Sequence, residues 1–309
     1  MNEELLNGAK EALASEKYHQ AVLKFEELYK ESPTEELNIY LSNAYYLDNQ
    51  FVAAERIVLE SIEAYLAEEP LFNFFQNVLI KNDSFILLRE IIGTADFPGE
   101  YKERVLEKIS SAEIGSSSNM AETNKKIANQ FYHMADEPIS VQIARFQTAK
   151  KLPLLLWLKS ARFLLLDPFI HPIIRSSVLE SMQKMRLQEK VNMYWLDEKE
   201  HPLNTGDLLP IQQTKSYIET NQILNEEVDV NDPILGEQLH EELRLQLMYL
   251  YPFAENVITN STLWIQVLSS SYTEVTIDEE NEQIKAIIKW QNKMQKYTKS
   301  MIQSFKNSE

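Results

Sequence analysis

Apolar side chains recur every three or four residues along almost the whole chain, and this spacing predicts amphipathic helices. In the first third of the chain, small, aromatic and aliphatic residues also return to the same positions at a fixed distance. The stretch LSNAYYLDNQFVAA at 41–54 matches FQNVLIKNDSFILL at 75–88, which lies 34 residues later. Tyr18, Phe51 and Phe85 mark the repeat, with steps of 33 and 34 residues. A period of this length predicts a solenoid of stacked helix pairs.

The repeat predicts three units, each formed by two antiparallel helices. The first helices are expected at about 2–14, 35–47 and 71–81, and each ends at a short polar turn that reads SEK, DNQ or NDS. Small residues at repeated positions let two helix backbones approach closely, and an aromatic residue begins each second helix. Because neither helix of a pair can bury its apolar face alone, the units must stack on each other.

This pattern resembles the tetratricopeptide repeat (TPR) family, most closely in LSNAYYLDNQFVAA and in YHQAVLKFEELYKESP. The resemblance covers residues 1–98 as three helix pairs. It implies a groove that is lined by the first helix of each pair and that holds a peptide or a partner protein. The residues expected to line this groove are Lys10, Leu13, Ile39, Asn43, Tyr46, Asn73, Asn77 and Lys81.

Two asparagines occupy equivalent positions in this predicted groove, one repeat apart. The amides of Asn43 and Asn77 can both donate to and accept from the backbone of an extended peptide. The two residues are therefore candidates for direct peptide contacts. The alternative is that each amide satisfies a turn within its own repeat.

The region that follows the repeats, residues 99–122, is predicted to hold one charged helix and then a linker. The helix reads YKERVLEKI, and the linker is the serine- and glycine-containing stretch SSAEIGSSSN at 110–119. The remaining residues, 123–309, are predicted to form a helical C-terminal domain. A domain boundary is therefore expected near residue 122.

Two elements of the C-terminal domain have recognisable patterns. VNMYWL at 191–196 alternates in the manner of a strand and is followed by turn residues, so a small β-ribbon is expected near 190–205. An amphipathic helix is expected at 279–305. Its apolar stripe indicates either a lid on the solenoid or a homodimer surface.

The stretch KLPLLLWLKSARFLLLDPFIHPIIRSSVLESMQKM at 151–185 resembles a HEAT-type helical hairpin in its turn acid, Asp167, and the arginine that follows, Arg175. The resemblance implies that the acid and the arginine bind each other and hold two helices together. The alternative is an anion-contacting patch formed by Arg162, His171 and Arg175. The fold class expected for the whole chain is all-α, a TPR solenoid followed by a HEAT-like domain.

Charge and composition exclude several classes of function. The formal net charge is −17, which argues against nucleic acid as a partner. Residues 1–98 carry −11, whereas residues 143–190 carry +6 and form the one stretch that favours an anionic partner. The chain has no cysteine, which excludes disulfides and thiolate sites. No apolar stretch approaches the ~20 residues that span a bilayer, and the acidic N-terminus does not read as a secretion signal, so a cytoplasmic protein without a membrane partner is expected.

No catalytic, metal-binding or cofactor motif emerges from the sequence. The five histidines include no pair spaced by four residues, and neither phosphate-binding glycine motif can be assembled. The repeats are followed by FYHMADEPISVQIARFQ and LLLDPFIHPIIRSS, and in this arrangement the chain resembles cytoplasmic TPR proteins of Gram-positive bacteria with an all-helical C-terminal domain. This resemblance implies no particular activity. The predicted function is a scaffold or adaptor that binds a peptide or partner protein and does not catalyse. The alternative is a peptide-sensing regulator whose superhelix closes on a small ligand.

Overall fold

The computed structural model describes residues 2–273, 277–278 and 280–306. Within these residues the chain forms α-helices and one two-stranded antiparallel ribbon. This architecture confirms the all-α class, and the ribbon lies near 190–205, where the sequence predicts it. None of the helices in the described ranges has both the length and the apolar composition that crossing a bilayer requires. The chain divides into two compact units, which are described one at a time.

Unit 1 comprises Met1–Ala121 together with Lys150–Leu154. Its helices share one apolar core, at the centre of which Phe25, Phe72 and Phe75 are fully buried. The helices of unit 1 are α1 (Glu3–Ala14), α2 (Tyr18–Glu31), α3 (Glu35–Leu47), α4 (Phe51–Glu60), α5 (Ile62–Leu66), α6 (Glu69–Lys81), α7 (Phe85–Thr94) and α8 (Gly99–Asn119).

The three predicted turns of unit 1 share one backbone geometry. Their central residues, Glu16, Asn49 and Asp83, each have a φ of 58°, in the left-handed region. In each turn the following residue donates its N–H to a carbonyl oxygen five residues back at 2.9 Å, as Lys17 does to Ala12. This is the Schellman ending of a helix. Because the left-handed residues are 33 and 34 positions apart, the backbone repeats with the period of the sequence.

Replacing Glu16 by glycine is expected to raise the free energy of unfolding by about 0.5–1 kcal/mol. A left-handed conformation is unfavourable for a residue with a Cβ atom and costs glycine nothing, and the Glu16 side chain is exposed. Urea denaturation of the variant and the wild type measures the difference. The matched control is Glu11→Gly, inside α1 and also exposed, which should lower the free energy of unfolding by about 1 kcal/mol. Equal destabilisation by both changes would contradict the turn geometry.

A buried polar network fixes α3 against the helices that follow it. Asn38 is fully buried, and its Nδ2 donates to the carbonyl oxygen of Ile57 at 2.8 Å. The hydroxyl of Tyr65 donates to Asn38 Oδ1 at 2.7 Å and is 2.8 Å from Ser42 Oγ. Tyr65 belongs to α5, a short helix that the sequence did not predict and that follows a break at Ser61.

The structure corrects the linker predicted at 110–119, because these residues form the second half of α8. Serine side chains stay helical here by donating to carbonyl oxygens four residues earlier, as Ser110 does at 2.8 Å and Ser118 at 3.3 Å. Glu113, within the same stretch, is buried and receives two hydrogen bonds of 2.9 Å from Arg89. The helix is thus tied to the core of unit 1.

Unit 2 comprises Glu122–Ala149 and Leu155–Glu309. Its ribbon pairs β1 (Lys190–Tyr194) with β2 (Glu200–Asn204). The helices that belong to it, wholly or in their larger part, are α9 (Ala121–Tyr132), α10 (Ile139–Ala149), α11 (Leu154–Leu166), α12 (Pro172–Lys184), α13 (Lys215–Ile223), α14 (Pro233–Leu250), α15 (Ala254–Val257), α16 (Ser261–Ser270) and α17 (Glu282–Lys306).

The last helix, α17, packs onto α10, α14 and α16. Gln291 on α17 donates to the carbonyl oxygen of Trp264 at 3.0 Å, and the Trp264 indole donates to Gln246 Oε1 at 2.9 Å. These bonds join α14, α16 and α17, so the first half of α17 covers the core of unit 2. The predicted helix at 279–305 begins three residues later than expected, and Glu279 lies outside the described residues. A homodimer through this helix stays a prediction.

Candidate functional site

The predicted groove residues all lie on the first helices α1, α3 and α6, and we call the surface they share the first-helix face. At the start of this face, Lys10 Nζ is 3.3 Å from Glu36 Oε1 and 4.6 Å from the centre of the Tyr40 ring. Leu13 and Ile39 are half-buried beside them. The cation, the carboxylate and the ring therefore connect α1 to α3.

Aromatic side chains form the middle of the first-helix face. The Tyr46 ring meets the edge of Phe74 at 5.5 Å and that of Phe51 at 5.4 Å between ring centres. Lys81 Nζ lies 5.8 Å from the centre of the Phe51 ring. Asn43, one turn before Tyr46, is half-buried, and its amide has no hydrogen-bond partner within the described part of the chain. The Asn43 amide thus keeps its donor and acceptor groups free of hydrogen-bond contacts within the described residues.

The second predicted asparagine differs from the first. Asn77 Oδ1 accepts a hydrogen bond of 2.8 Å from Lys108 Nζ on α8. Asn73 Oδ1, one turn earlier, accepts from the Tyr101 hydroxyl at 3.4 Å. The sequence did not place α8 beside α6, so it missed Lys108 and Tyr101. Of the two equivalent amides, only that of Asn43 is without a partner in the described structure.

A surface pocket of about 500 Å³ lies where the second turn of the repeat meets the end of α6. Phe51 and Val52 supply apolar surface, and the side chain of Val52 is 69% exposed. Arg56 and Lys81 add two cations to the lining. Lys81 belongs to both the pocket and the first-helix face, so the two surfaces adjoin.

Unit 2 contains a larger opening of about 750 Å³, which we call the α17 cleft. Residues from four segments line it, those at 135–142, 168–175, 194–198 and 297–304. They belong to the start of α10, the loop before α12 with the first turn of α12, the end of β1 and the second half of α17. Two of the three residues predicted to contact an anion, His171 and Arg175, are in this lining.

Arg175 lies at the base of the α17 cleft, with 3% of its surface exposed. Its Nη1 donates to the carbonyl oxygens of Asp167 and Ile170, both at 2.7 Å. The HEAT resemblance implies a bond between Arg175 and the carboxylate of Asp167, but the structure does not show it. The carboxylate instead accepts a hydrogen bond from the N–H of Phe169 at 2.9 Å. The guanidinium carbon is 5.3 Å from the centre of the Tyr194 ring. Arg175 therefore holds the loop through backbone carbonyls.

His171 is the N-cap of α12 and stays uncharged at neutral pH. Its Nδ1 accepts from the N–H of Ile173 at 3.4 Å, so its Nε2, 3.3 Å from the carbonyl oxygen of Tyr297, is the donor. Burial is the main cause that lowers the pKa of the His171 imidazole to about 4; the bond to Tyr297 opposes the shift, and the nearby charge of Arg175 adds to it. His171 thus orients the cleft wall and supplies no charge to an anion.

The third predicted anion contact, Arg162, does not reach the α17 cleft. It lies on α11 with an exposed side chain and pairs with Glu189. The sequence also missed Gln142, whose Oε1 accepts from the N–H of His171 at 3.1 Å, and the tyrosines at 194 and 297. These residues come from distant parts of the chain, so no local signal could join them to Arg175.

The described residues include no group of three or more histidine, aspartate or glutamate side chains placed to hold a metal ion. His240 bonds Asp229 at 3.0 Å and Asn221 at 3.1 Å, but no serine or threonine is among its hydrogen-bond partners.

No protein-family model matches the chain, and neither a curated protein nor a solved structure is significantly similar to it. Function is therefore inferred from the geometry of the first-helix face and the α17 cleft.

Proposed function

We propose that the chain is a helical-repeat adaptor, which binds a peptide or a partner protein on the first-helix face and performs no catalysis. The observation that carries the proposal is the half-buried amide of Asn43, which has no partner in the described structure and lies one turn from the aromatic contact of Tyr46 and Phe74. A backbone amide of an extended peptide satisfies both hydrogen-bonding groups of such a side chain.

The remaining features of the face support an extended ligand rather than a small one. Three contacts follow one another from α1 to α8, namely Lys10 with Tyr40, Tyr46 with Phe74, and Asn77 with Lys108. Aromatic side chains offer large contact surfaces with little loss of side-chain entropy. Residues 1–98 carry a net charge of −11, so a partner segment with basic residues is favoured, and its affinity should fall with added salt.

Replacing Asn43 by alanine is expected to weaken peptide binding about three- to tenfold, the loss that one or two hydrogen bonds cause. Peptides selected from a random library against the full chain provide the ligand, and isothermal titration calorimetry measures the dissociation constant. Asn77→Ala should have a smaller effect, because the Asn77 amide already bonds Lys108.

The matched control for this experiment is Gln20→Ala, which removes an exposed amide from α2, a second helix of the repeat. It should leave the dissociation constant unchanged. All variants are compared with the wild type in thermal denaturation, so that a loss of folding is not mistaken for a loss of binding. Wild-type affinity in the double variant Asn43→Ala, Asn77→Ala would contradict binding on the first-helix face.

The alternative, a regulator that senses a small ligand, has one observation in its favour, which is the size and lining of the α17 cleft. The two functions differ in what stabilises the protein. A ligand of the cleft should raise the melting temperature by mass action, and the increase should be smaller in the Phe169→Ala variant. An adaptor peptide should raise the melting temperature of the wild type and of Phe169→Ala by the same amount.

A further inference from the structure

The α17 cleft holds one charge that no opposite charge neutralises. Its two carboxylates are paired, Glu137 with Arg145 and Glu198 with Lys293, the latter at 2.8 Å. Arg175 is buried and makes no ion pair with any carboxylate in the described ranges of the chain. A buried charge without a counter-ion is unfavourable, and an anion that enters the cleft removes this penalty. The cleft therefore favours a negatively charged ligand.

The hydrogen bonds of Arg175 leave two of its three guanidinium nitrogens without an acceptor in the described residues. Nη1 is engaged by two carbonyl oxygens, whereas Nε is buried and has no acceptor among the described residues, and Nη2 has none either. The N–H groups of Nε and Nη2 are parallel, and together they form the edge that pairs with the two oxygens of a carboxylate. The geometry thus matches a planar anion with two equivalent oxygens.

The rest of the lining defines the body of the ligand. Phe169 is 80% exposed at the rim, and Ile139, Tyr194 and Tyr297 add apolar surface around the opening. Ser300 is neutral and exposed on α17. Because Arg175 is the one unpaired cation in this described lining, a ligand with a single negative charge fits better than one with two.

We propose that the α17 cleft binds an organic monocarboxylate with an apolar body, whose carboxylate pairs with the Nε and Nη2 edge of Arg175. Two sources share this chemistry, the free C-terminus of a short apolar peptide and a medium-chain fatty acid. All residues of the α17 cleft belong to unit 2. A test of this proposal is therefore independent of a test of peptide binding on the first-helix face.

Four probes test the chemistry on the full chain by isothermal titration calorimetry. They are N-acetyl-leucyl-phenylalanine with a free carboxyl group, the same dipeptide as its C-terminal amide, decanoate, and inorganic phosphate. At least one carboxylate should bind ten times more tightly than both the amide and phosphate, and the better of the two carboxylates identifies the source. Three results would overturn the proposal. They are equal affinity for the acid and its amide, an affinity for phosphate equal to that for the carboxylates, and no heat from either carboxylate at millimolar concentration.

Variants locate the site. Ser300→Glu adds a negative charge to the cleft at an exposed helix position and should lower the affinity for the carboxylate at least tenfold. The control, Asn292→Glu, adds the same charge to α17 outside the lining and should leave this affinity unchanged. Arg175→Lys keeps the charge without the paired N–H groups and should also weaken binding, and Phe169→Ala should reduce it about threefold. Because the Ser300, Asn292 and Phe169 side chains are exposed, their variants are expected to fold. Unchanged binding in Ser300→Glu would overturn the assignment.

Discussion

Replacing Arg89 by alanine is expected to lower the free energy of unfolding by about 3–5 kcal/mol, the largest loss that we expect from a single polar substitution in unit 1. Arg89 donates from Nε and Nη2 to the two carboxylate oxygens of Glu113, each at 2.9 Å, and from Nη2 to Ser110 at 3.0 Å. The two charged side chains are only 10% and 11% exposed. The variant leaves a buried carboxylate without its cation, which costs far more than the pair itself contributes.

Two further variants separate the causes of this loss. The double variant Arg89→Met, Glu113→Leu removes both charges and should fall within about 1 kcal/mol of the wild type, since a buried ion pair is often replaceable by apolar residues. Arg244→Ala breaks the exposed pair with Glu241, whose side chains are 68% and 67% exposed, and should cost less than about 1 kcal/mol. Urea denaturation measures all three. A cost below 1 kcal/mol for Arg89→Ala would show that Glu113 is hydrated.

The same ion pair explains why the linker at 110–119 was predicted wrongly. Serine and glycine are common in flexible segments, and composition alone gives no reason to expect a helix there. The hydroxyl of Ser110 bonds the backbone of its own helix, and Glu113 binds a residue 24 positions earlier. Of these two bonds, only the second joins α8 to another helix, and a single sequence does not reveal which distant residue pairs with which.

The turns of unit 1 were predictable because their determinants are local. A short polar segment between two apolar repeats is enough to end a helix, and the left-handed residues at 16, 49 and 83 fall in the middle of SEK, DNQ and NDS. The repeat spacing then fixes which helices are equivalent. The positions of Asn43 and Asn77 followed from that spacing, but their different hydrogen bonding did not, because it depends on α8.

The α17 cleft shows the opposite situation. The sequence offered His171 and Arg175 together with Arg162 as an anion-contacting patch in the HEAT-like stretch at 151–185, and it could not distinguish the first two from the third. The difference arises from contacts across the chain, since His171 meets Tyr297, which is 126 residues away, and Arg162 meets Glu189. The ribbon and the last helix were both predicted, yet nothing in their patterns indicated that they line one opening.

A second large effect is expected from pH, and it concerns His171. Burial lowers the pKa of this imidazole from 6.5 to about 4, so the folded protein leaves it neutral between these values while the unfolded chain protonates it. Unfolding therefore takes up a proton in that window. The contribution of His171 to the free energy of unfolding is fully present above pH 6.5 and is lost as the pH falls from 6.5 to 4. Below pH 4 the contribution does not change further.

The free energy of unfolding of the wild type should therefore fall by about 2 kcal/mol between pH 7.5 and pH 5 on account of His171 alone. His171→Asn is the comparison, because asparagine can also cap α12 and does not titrate. Urea denaturation at several pH values should give a curve for the variant that is flatter by this amount. All other titrating groups are common to both proteins. Parallel curves of unfolding free energy against pH would therefore mean that the imidazole is protonated in the folded state as well. It would then bring a second positive charge beside Arg175.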